Sequence, residues 1–117
     1  MNAFFWARRQ AGKPYEWGGT GPGGFDCSGL VYAAYRRAGI RLPRTTYGML
    51  RSHRLIRIRA SQAKPGDLAF YGSGHVELVD RRRHSTFGAL DAGTVIGWHQ
   101  FSRWWHPTAY YRVRGAD

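Results

Sequence analysis

The stretch D-C-S-G-L, from Asp26 to Leu30, contains the only cysteine of the chain and decides how the rest of the sequence is interpreted. A glycine-rich loop, W-G-G-T-G-P-G-G-F (Trp17 to Phe25), precedes it. Asp26 is a favourable N-cap residue, and the apolar residues after it recur at helical spacing, so the pattern predicts a helix over Cys27 to Ala38. A helix N-terminus stabilises a thiolate. Position alone leaves Cys27 open as a nucleophile or as a small buried hydrophobe.

Composition limits the class of protein. The 117-residue length predicts one domain, residues 1–117. Eighteen basic residues against seven acidic ones give a net charge of +11, which favours polyanionic partners such as nucleic acid, anionic lipid or anionic wall polymers without distinguishing them, although a solvated basic surface is the alternative. No apolar run approaches the roughly 18 residues that span a bilayer. The first residues, M-N-A-F-F-W-A-R-R-Q, lack a signal-peptide core, so we expect neither a membrane span nor a signal peptide.

Helical patterns come first along the chain and strand patterns follow. Asn2 to Gly12 is predicted as a short helix, and Thr45 as the cap of another. From Leu55 onward the apolar residues alternate with period two. The predicted strands are Leu55 to Ile58, Asp67 to Tyr71, His75 to Asp80, Ser85 to Leu90, Thr94 to Trp98 and Ala109 to Arg114. This order predicts an α+β fold in which N-terminal helices pack on an antiparallel sheet of roughly five to six strands.

A cysteine nucleophile needs a base, usually a histidine, and the base needs an orienting group. Among five histidines, His75 is the strongest candidate because it opens a strand directly after a Gly-Ser-Gly break. Glu77 lies two residues further on the same face, about 6–7 Å along the strand, where it can hold the imidazole. Neither H-E-x-x-H nor C-x-x-C occurs, so we expect no metal site and no cofactor.

Four motifs follow one another in the chain: G-K-P-Y-E-W-G-G-T-G-P-G-G-F-D-C-S-G-L-V, L-P-R-T-T-Y, K-P-G-D-L-A-F-Y and G-H-V-E-L-V. Their order and separations resemble the NlpC family of papain-like cysteine peptidases, which cleave bacterial peptidoglycan stem peptides. The resemblance implies a papain-like fold of the NlpC type, with Cys27 as nucleophile and His75 as base. It implies the peptidoglycan stem peptide as substrate, cleaved at the amide between D-glutamate and the diamino acid.

The resemblance also implies the residues around the thiol. The predicted substrate-binding residues are Tyr15, Trp17, Asp26, Ser28 and Arg44. Tyr15 is implied to line the site and to help stabilise the oxyanion, which would also receive the Cys27 backbone N–H. Asp26 and Ser28 flank the thiol where the family contacts the stem peptide, and Arg44 is expected to be structural or substrate-facing.

One departure from the family pattern concerns the third catalytic residue. In the family, the polar residue that orients the base lies on the next strand, and the alignment places Gly88 there, which has no side chain. We expect Glu77 to supply the orienting carboxylate from the neighbouring strand, with the empty position at Gly88 leaving space for it. His84 and His99 are the alternatives if the hairpin register differs.

These expectations favour a cell-wall hydrolase that is delivered as a phage tail or virion component or as an injected effector. A non-catalytic structural or wall-binding module of a phage tail or secretion assembly is the main alternative. Acyl-transfer or amidase chemistry on the same Cys/His pair is a further one. Aromatic and basic residues interleave between Trp98 and His106, as in nucleic-acid-binding surfaces, but no motif supports a specific nucleic-acid partner.

Overall fold

The computed structural model describes residues 2–82 and 84–115, in which a few short helices pack on one sheet. The helices are α1 (Asn2–Arg8), α2 (Cys27–Arg37) and α3 (Thr46–Leu50), with a 3₁₀ turn at Ala60–Gln62. The strands are β1 (Leu55–Ile58), β2 (Leu68–Tyr71), β3 (His75–Val79), β4 (Ser85–Gly88), β5 (Gly97–Gln100) and β6 (Ala109–Val113). None of the helices in these residues is long and apolar enough to cross a membrane.

The six strands form one sheet in the order β1-β6-β2-β3-β4-β5, with every neighbouring pair antiparallel. Short connections join β2 to β3 and β3 to β4, whereas β6 returns from the end of the chain and inserts between β1 and β2. The α+β prediction, with N-terminal helices on an antiparallel sheet, is confirmed.

Helix α2 packs against the middle of the sheet and carries the start of the site. Its buried residues include Leu30, Val31, Ala34 and Tyr35, which repeat at the spacing of one helix face. A fully buried valine or leucine side chain contributes about 1.5–3 kcal/mol relative to an exposed one. This packing, together with close contacts to β3, fixes the helix N-terminus beside the first residue of that strand.

The first turn of α2 is shaped by the glycine-rich loop. The side chain of Asp26 caps the helix by accepting from the Gly29 backbone N–H at 2.7 Å. A Cβ at Gly29 would lie 2.0 Å from the carbonyl oxygen of Gly19, so only glycine allows this loop to pack on the helix. The glycine in D-C-S-G is therefore required by the fold, and it brings the loop next to the thiol.

The largest differences from the predicted elements are at the end of α1 and the start of β5, and the other ends differ by one or two residues. Helix α1 ends at Arg8 rather than at Gly12, and β5 begins at Gly97 rather than at Thr94. The Gly12 N–H donates to the carbonyl of Ile96, and Tyr15 N–H donates to that of Thr94. Residues 94–96 therefore pair with the loop after α1 instead of extending β5, a long-range pairing that local periodicity does not contain.

Candidate active site

Cys27 and His75 meet at the junction of α2 and β3. Cys27 is the first residue of α2, with a partly exposed side chain, and His75 is the first residue of β3. Burial by itself lowers the pKa of His75, but hydrogen bonding to Cys27 and to Glu77 outweighs it and raises that pKa to about 9. The imidazolium form of His75 is therefore favoured beside the thiol, as a thiol nucleophile and its acid–base partner require.

A fully buried carboxylate holds the other side of the His75 ring. Nε2 of His75 lies 2.9 Å from Oε2 of Glu77, whose exposed fraction is 0%. With Nε2 engaged by Glu77, Nδ1 is the ring nitrogen left for the thiol. The predicted proximity of Glu77 to His75 is thus present in the structure, through one direct hydrogen bond.

Glu77 is also bound by two groups on β4 and β5. Thr86 Oγ1 donates to Oε1 of Glu77 at 2.8 Å, and Nδ1 of His99 lies 3.0 Å from Oε1 and 2.9 Å from Oε2. Burial by itself raises the pKa of Glu77, but the hydrogen bonds from His75 and His99 outweigh it and hold that pKa below its ordinary value. The buried carboxylate therefore stays charged between two imidazoles.

Gly88 provides the volume that Glu77 occupies. A Cβ at Gly88 would lie 2.8 Å from Cγ, 3.1 Å from Cδ and 3.2 Å from Cβ of Glu77. Any side chain at Gly88 would therefore collide with the carboxylate in its observed position. The space left by the missing side chain at Gly88 is thus filled by Glu77, as expected from the sequence.

Aromatic side chains cover this array. The ring of Trp105 stacks on that of Tyr71 with centroids 4.0 Å apart, and it lies 6.1 Å from the ring of His75 and 6.2 Å from that of His99. The Tyr71 hydroxyl is 2.6 Å from Thr86 Oγ1, and because Thr86 donates its proton to Glu77, Tyr71 donates to Thr86. The cover restricts the access of water to the carboxylate and strengthens its hydrogen bonds.

Three of the predicted substrate-binding residues bind one another on both sides of the thiol. Arg44 Nη2 lies 2.9 Å from Oδ2 of Asp26, and its Nη1 lies 2.9 Å from Oγ of Ser28. Asp26 and Ser28 are buried, and Asp26 also accepts from the Gly18 N–H at 2.9 Å. The Arg44 guanidinium therefore links the residues that precede and follow Cys27. Asp26, Ser28 and Arg44 together lie where they can position Cys27.

Tyr15 and Trp17 lie on the loop that approaches the thiol. Burial raises the pKa of the Tyr15 hydroxyl, and so do the nearby Cys27 and Asp26, which places that hydroxyl close to the thiol. Trp17 is 88% exposed, so its ring is free to contact a ligand in solution and contributes nothing to the packing of the site. The substrate-binding roles of both residues stay predictions.

The two alternatives for the third residue are separated by the structure. His99 reaches Glu77, whereas within residues 2–82 and 84–115 His84 makes no hydrogen bond to His75 or Glu77 and packs edge-on against Phe101 with centroids 6.2 Å apart. Thr86, Tyr71 and Trp105 also belong to the site and were not predicted from the sequence. A tight hairpin whose turn is Gly-Ser-Gly (Gly72 to Gly74) places Tyr71 opposite His75, and this signal could have identified Tyr71. No local signal indicates Trp105.

The His75–Glu77–His99 array contains metal-binding residue types but forms no metal site. Its nitrogen and oxygen atoms bond to each other at 2.9–3.0 Å instead of converging on a shared point. In the part of the chain that the structure describes, no group of three or more potential ligands could hold a metal ion.

The geometry defines a class of α+β proteins in which a cysteine at a helix N-terminus faces a histidine at the start of an antiparallel strand. The chain belongs to the NlpC/P60 family, whose model matches residues 12–87. The resemblance inferred from the four motifs is confirmed, and the matched region contains Cys27, His75 and Glu77.

Two curated relatives are similar to the central part of the chain. The probable endopeptidase p60 of Listeria monocytogenes is 53% identical over 70 residues, which cover 58% of this chain and 14% of that protein. The murein DD-endopeptidase MepH of Escherichia coli is 51% identical over 65 residues, which cover 54% of this chain and 24% of that protein. The chain thus spans less than a quarter of the length of either relative.

Two solved structures share the fold over nearly the whole chain. The NlpC/p60 domain of the peptidoglycan hydrolase SagA has a TM-score of 0.82 and 29% identity, covering 96% of this chain and 97% of that one. RipD of Mycobacterium tuberculosis, described as a non-catalytic NlpC/p60 domain protein adapted to peptidoglycan binding, has a TM-score of 0.76 and 29% identity, covering 96% and 95%. The predicted fold of the NlpC type is confirmed.

Proposed function

We propose that this chain is a peptidoglycan endopeptidase that cleaves a stem-peptide amide by a thiol mechanism. The observation that carries the proposal is the arrangement of Cys27, His75 and the buried Glu77, in which the carboxylate holds the imidazole at 2.9 Å and the thiol is near enough to raise the pKa of that imidazole. Membership of the NlpC/P60 family, two relatives that are named endopeptidases, and a structural neighbour described as a peptidoglycan hydrolase support the substrate class.

The geometry supports the following sequence of steps. The Cys27 thiolate attacks the amide carbonyl carbon, and a C–S bond forms as the carbonyl oxygen becomes an oxyanion. The Cys27 backbone N–H stands at the first position of α2, where helix geometry provides no acceptor, and it is available to that oxyanion. The Tyr15 hydroxyl is the second donor that we assign to it, because Tyr15 lies close to the thiol.

His75 then moves the protons. Its imidazolium protonates the leaving amine, the C–N bond breaks, and a thioester remains on Cys27. Neutral His75 accepts a proton from water and the resulting hydroxide attacks the thioester. The C–S bond then breaks, the peptide is released as a carboxylic acid that loses its proton to solvent, and the Cys27 thiolate and the His75 imidazolium are regenerated. Glu77 acts as a positioning residue, because it fixes the ring orientation and stabilises the imidazolium without touching the substrate.

We place the cleavage at the D-glutamyl–diamino acid amide. The test is mass spectrometry of products from purified peptidoglycan, with wild type compared with Cys27→Ala. This bond yields a new amino terminus on the diamino acid and a free D-glutamyl carboxyl, both absent with Cys27→Ala. Loss of peptide cross-links without those termini would contradict the bond and would indicate the DD-type cleavage named for MepH.

The non-catalytic alternative is favoured by one observation, the similarity to RipD. If the chain is a wall-binding module, wild type and Cys27→Ala should clear a wall suspension and sediment with peptidoglycan to the same extent. Neither should release new termini. Delivery by a phage tail or a secretion apparatus stays a prediction. Detection of the protein in purified virions, or its transfer to a recipient cell, would test it.

A further inference from the structure

A cleft lies apart from the thiol, between α1, α2 and the glycine-rich loop. Its volume is about 650 Å³. Its cations are Lys13, Arg36 and Arg37, and its aromatic rings are those of Trp6, Phe25 and Tyr32. Its lining contains no acidic residue. Phe25 is fully buried, so the cleft combines positive charge with the partly exposed rings of Trp6 and Tyr32, and the mechanism at Cys27 uses none of these groups.

Each cation of the cleft lies over one of its rings. The distances to the ring centroids are 5.1 Å for Arg37 over Trp6, 6.0 Å for Arg36 over Tyr32 and 5.9 Å for Lys13 over Phe25. An aromatic ring face restrains a long cationic side chain without accepting its N–H donors as an oxygen atom would. The side chains are thus partly ordered before binding, and that lowers the entropic cost of fixing them on a ligand.

The donors in the cleft have few internal partners. Lys13 Nζ donates to Gln10 Oε1 at 2.6 Å, and Arg36 Nη1 lies 3.5 Å from the Tyr32 hydroxyl. Among the residues that the structure describes, none of the three cations forms an ion pair with a carboxylate. Asp26 and Asp67 pair instead with Arg44 and Arg112. The cleft therefore presents uncompensated positive charge.

We propose that this cleft binds a phosphodiester polymer of the bacterial wall and anchors the enzyme beside its substrate. Guanidinium groups bind phosphate oxygens through paired N–H donors, which makes two adjacent arginines suited to successive phosphates of a chain. The net charge of +11 adds long-range attraction to the same partner. This inference rests on the proposed function, because it names the wall component that keeps the endopeptidase at its substrate.

The position of the cleft fits anchoring rather than direct participation in cleavage. Arg36 lies near the far end of α2, about 13 Å along the helix axis from Cys27 at about 1.5 Å per residue. The glycine-rich loop forms one wall of the cleft through Thr20 to Pro22 and leads directly to the thiol. A polymer held in the cleft would raise the local concentration of stem peptides at Cys27 without occupying the site.

The test measures binding of purified wall teichoic acid to the Cys27→Ala chain by calorimetry at several salt concentrations. The cleft variant combines Lys13→Gln, Arg36→Gln and Arg37→Gln. The matched control removes the same charge elsewhere through Arg51→Gln, Arg57→Gln and Arg59→Gln. We expect the cleft variant to bind about 10- to 100-fold more weakly at low salt, with a flatter dependence of affinity on salt, and the control to change by less than about threefold.

Three results would overturn the anchoring site. These are equal losses in the cleft and control variants, an unchanged affinity in the cleft variant, and tighter binding of duplex DNA than of teichoic acid. If the triple variant does not fold, the three single substitutions carry the test, each with an expected loss of about threefold to fivefold. Because Cys27→Ala cannot hydrolyse the wall, teichoic acid binding is measured independently of the proposed hydrolysis, and either can fail alone.

Discussion

Replacing Glu77 with glutamine tests the central feature of the site, because it removes one charge and conserves the shape. Glu77 is 0% exposed and accepts from His75, His99 and Thr86 at 2.8–3.0 Å. An amide in its place offers one oxygen and one NH₂ group, so at least one of those donors would face another donor. The substitution therefore removes the counter-charge of His75 and leaves an unsatisfied contact in a buried place.

The magnitude follows from the pKa of His75, which is raised from 6.5 to about 9. At about 1.4 kcal/mol per unit, that difference corresponds to roughly 3 kcal/mol in favour of the imidazolium, to which Cys27 and Glu77 both contribute. Without the charge of Glu77, burial lowers the pKa of His75 and only Cys27 opposes it. We expect this pKa to fall from about 9 toward 6.5, which leaves about a quarter of His75 as imidazolium at pH 7 and lowers kcat/KM there by about fourfold through protonation alone.

Two measurements check the Glu77→Gln variant. Titration of the His75 ring by NMR gives its pKa directly, and the pH profile of kcat/KM shows the loss of imidazolium at high pH. Wild type should keep its activity up to about pH 9, whereas the high-pH limb of the variant should begin at lower pH. Asp67→Asn is the matched control. Asp67 is also a buried carboxylate, it lies 2.8 Å from Arg112, and it is not part of the array around the thiol. An unshifted His75 titration in Glu77→Gln would refute the reasoning.

Three further changes follow from the same contacts. Gly88→Ala should destabilise the fold by about 1–3 kcal/mol and reduce activity, because its Cβ would collide with Glu77, whereas Gly97→Ala, which meets nothing within 4 Å, should leave activity intact in the same thermal and kinetic assays. His99→Gln should retain more activity than His99→Leu, since glutamine can still donate to Glu77; equal losses would show that the hydrogen bond is irrelevant. Asp26→Ala should lower the free energy of unfolding in urea by about 1–2 kcal/mol through loss of the N-cap, and an unchanged midpoint would contradict that role.

Much of the site could be predicted because its determinants are local. Asp26 caps α2 within one turn, so the position of Cys27 on the helix follows from a few consecutive residues. His75 and Glu77 share one strand face because side chains alternate with period two. The contact between His75 and Glu77 needs no other part of the chain, and the motif order independently indicated the NlpC/P60 family.

The roles of Asp26, Ser28 and Arg44 were harder to predict from sequence. A polar residue beside a nucleophile can contact either the substrate or the protein, and sequence does not distinguish the two. In the fold, the loop before α3 brings the Arg44 guanidinium to within 2.9 Å of both Asp26 and Ser28. Arg44 is 16 positions from Ser28 and 18 positions from Asp26 in the chain. Because local sequence patterns do not reach that far, they left the role of Arg44 open.

The sequence by itself determined the α+β class, the thiol at the start of a helix, and a histidine and a glutamate on one face of a strand. Only the tertiary structure decided which histidine shares Glu77, because His99 lies 22 positions away and reaches the carboxylate through the pairing of β4 with β5. It also decided that Gly88 leaves the volume for Glu77 and that Trp105 covers the array. These features depend on strand register and loop packing, which are set by contacts between distant segments and not by local preference.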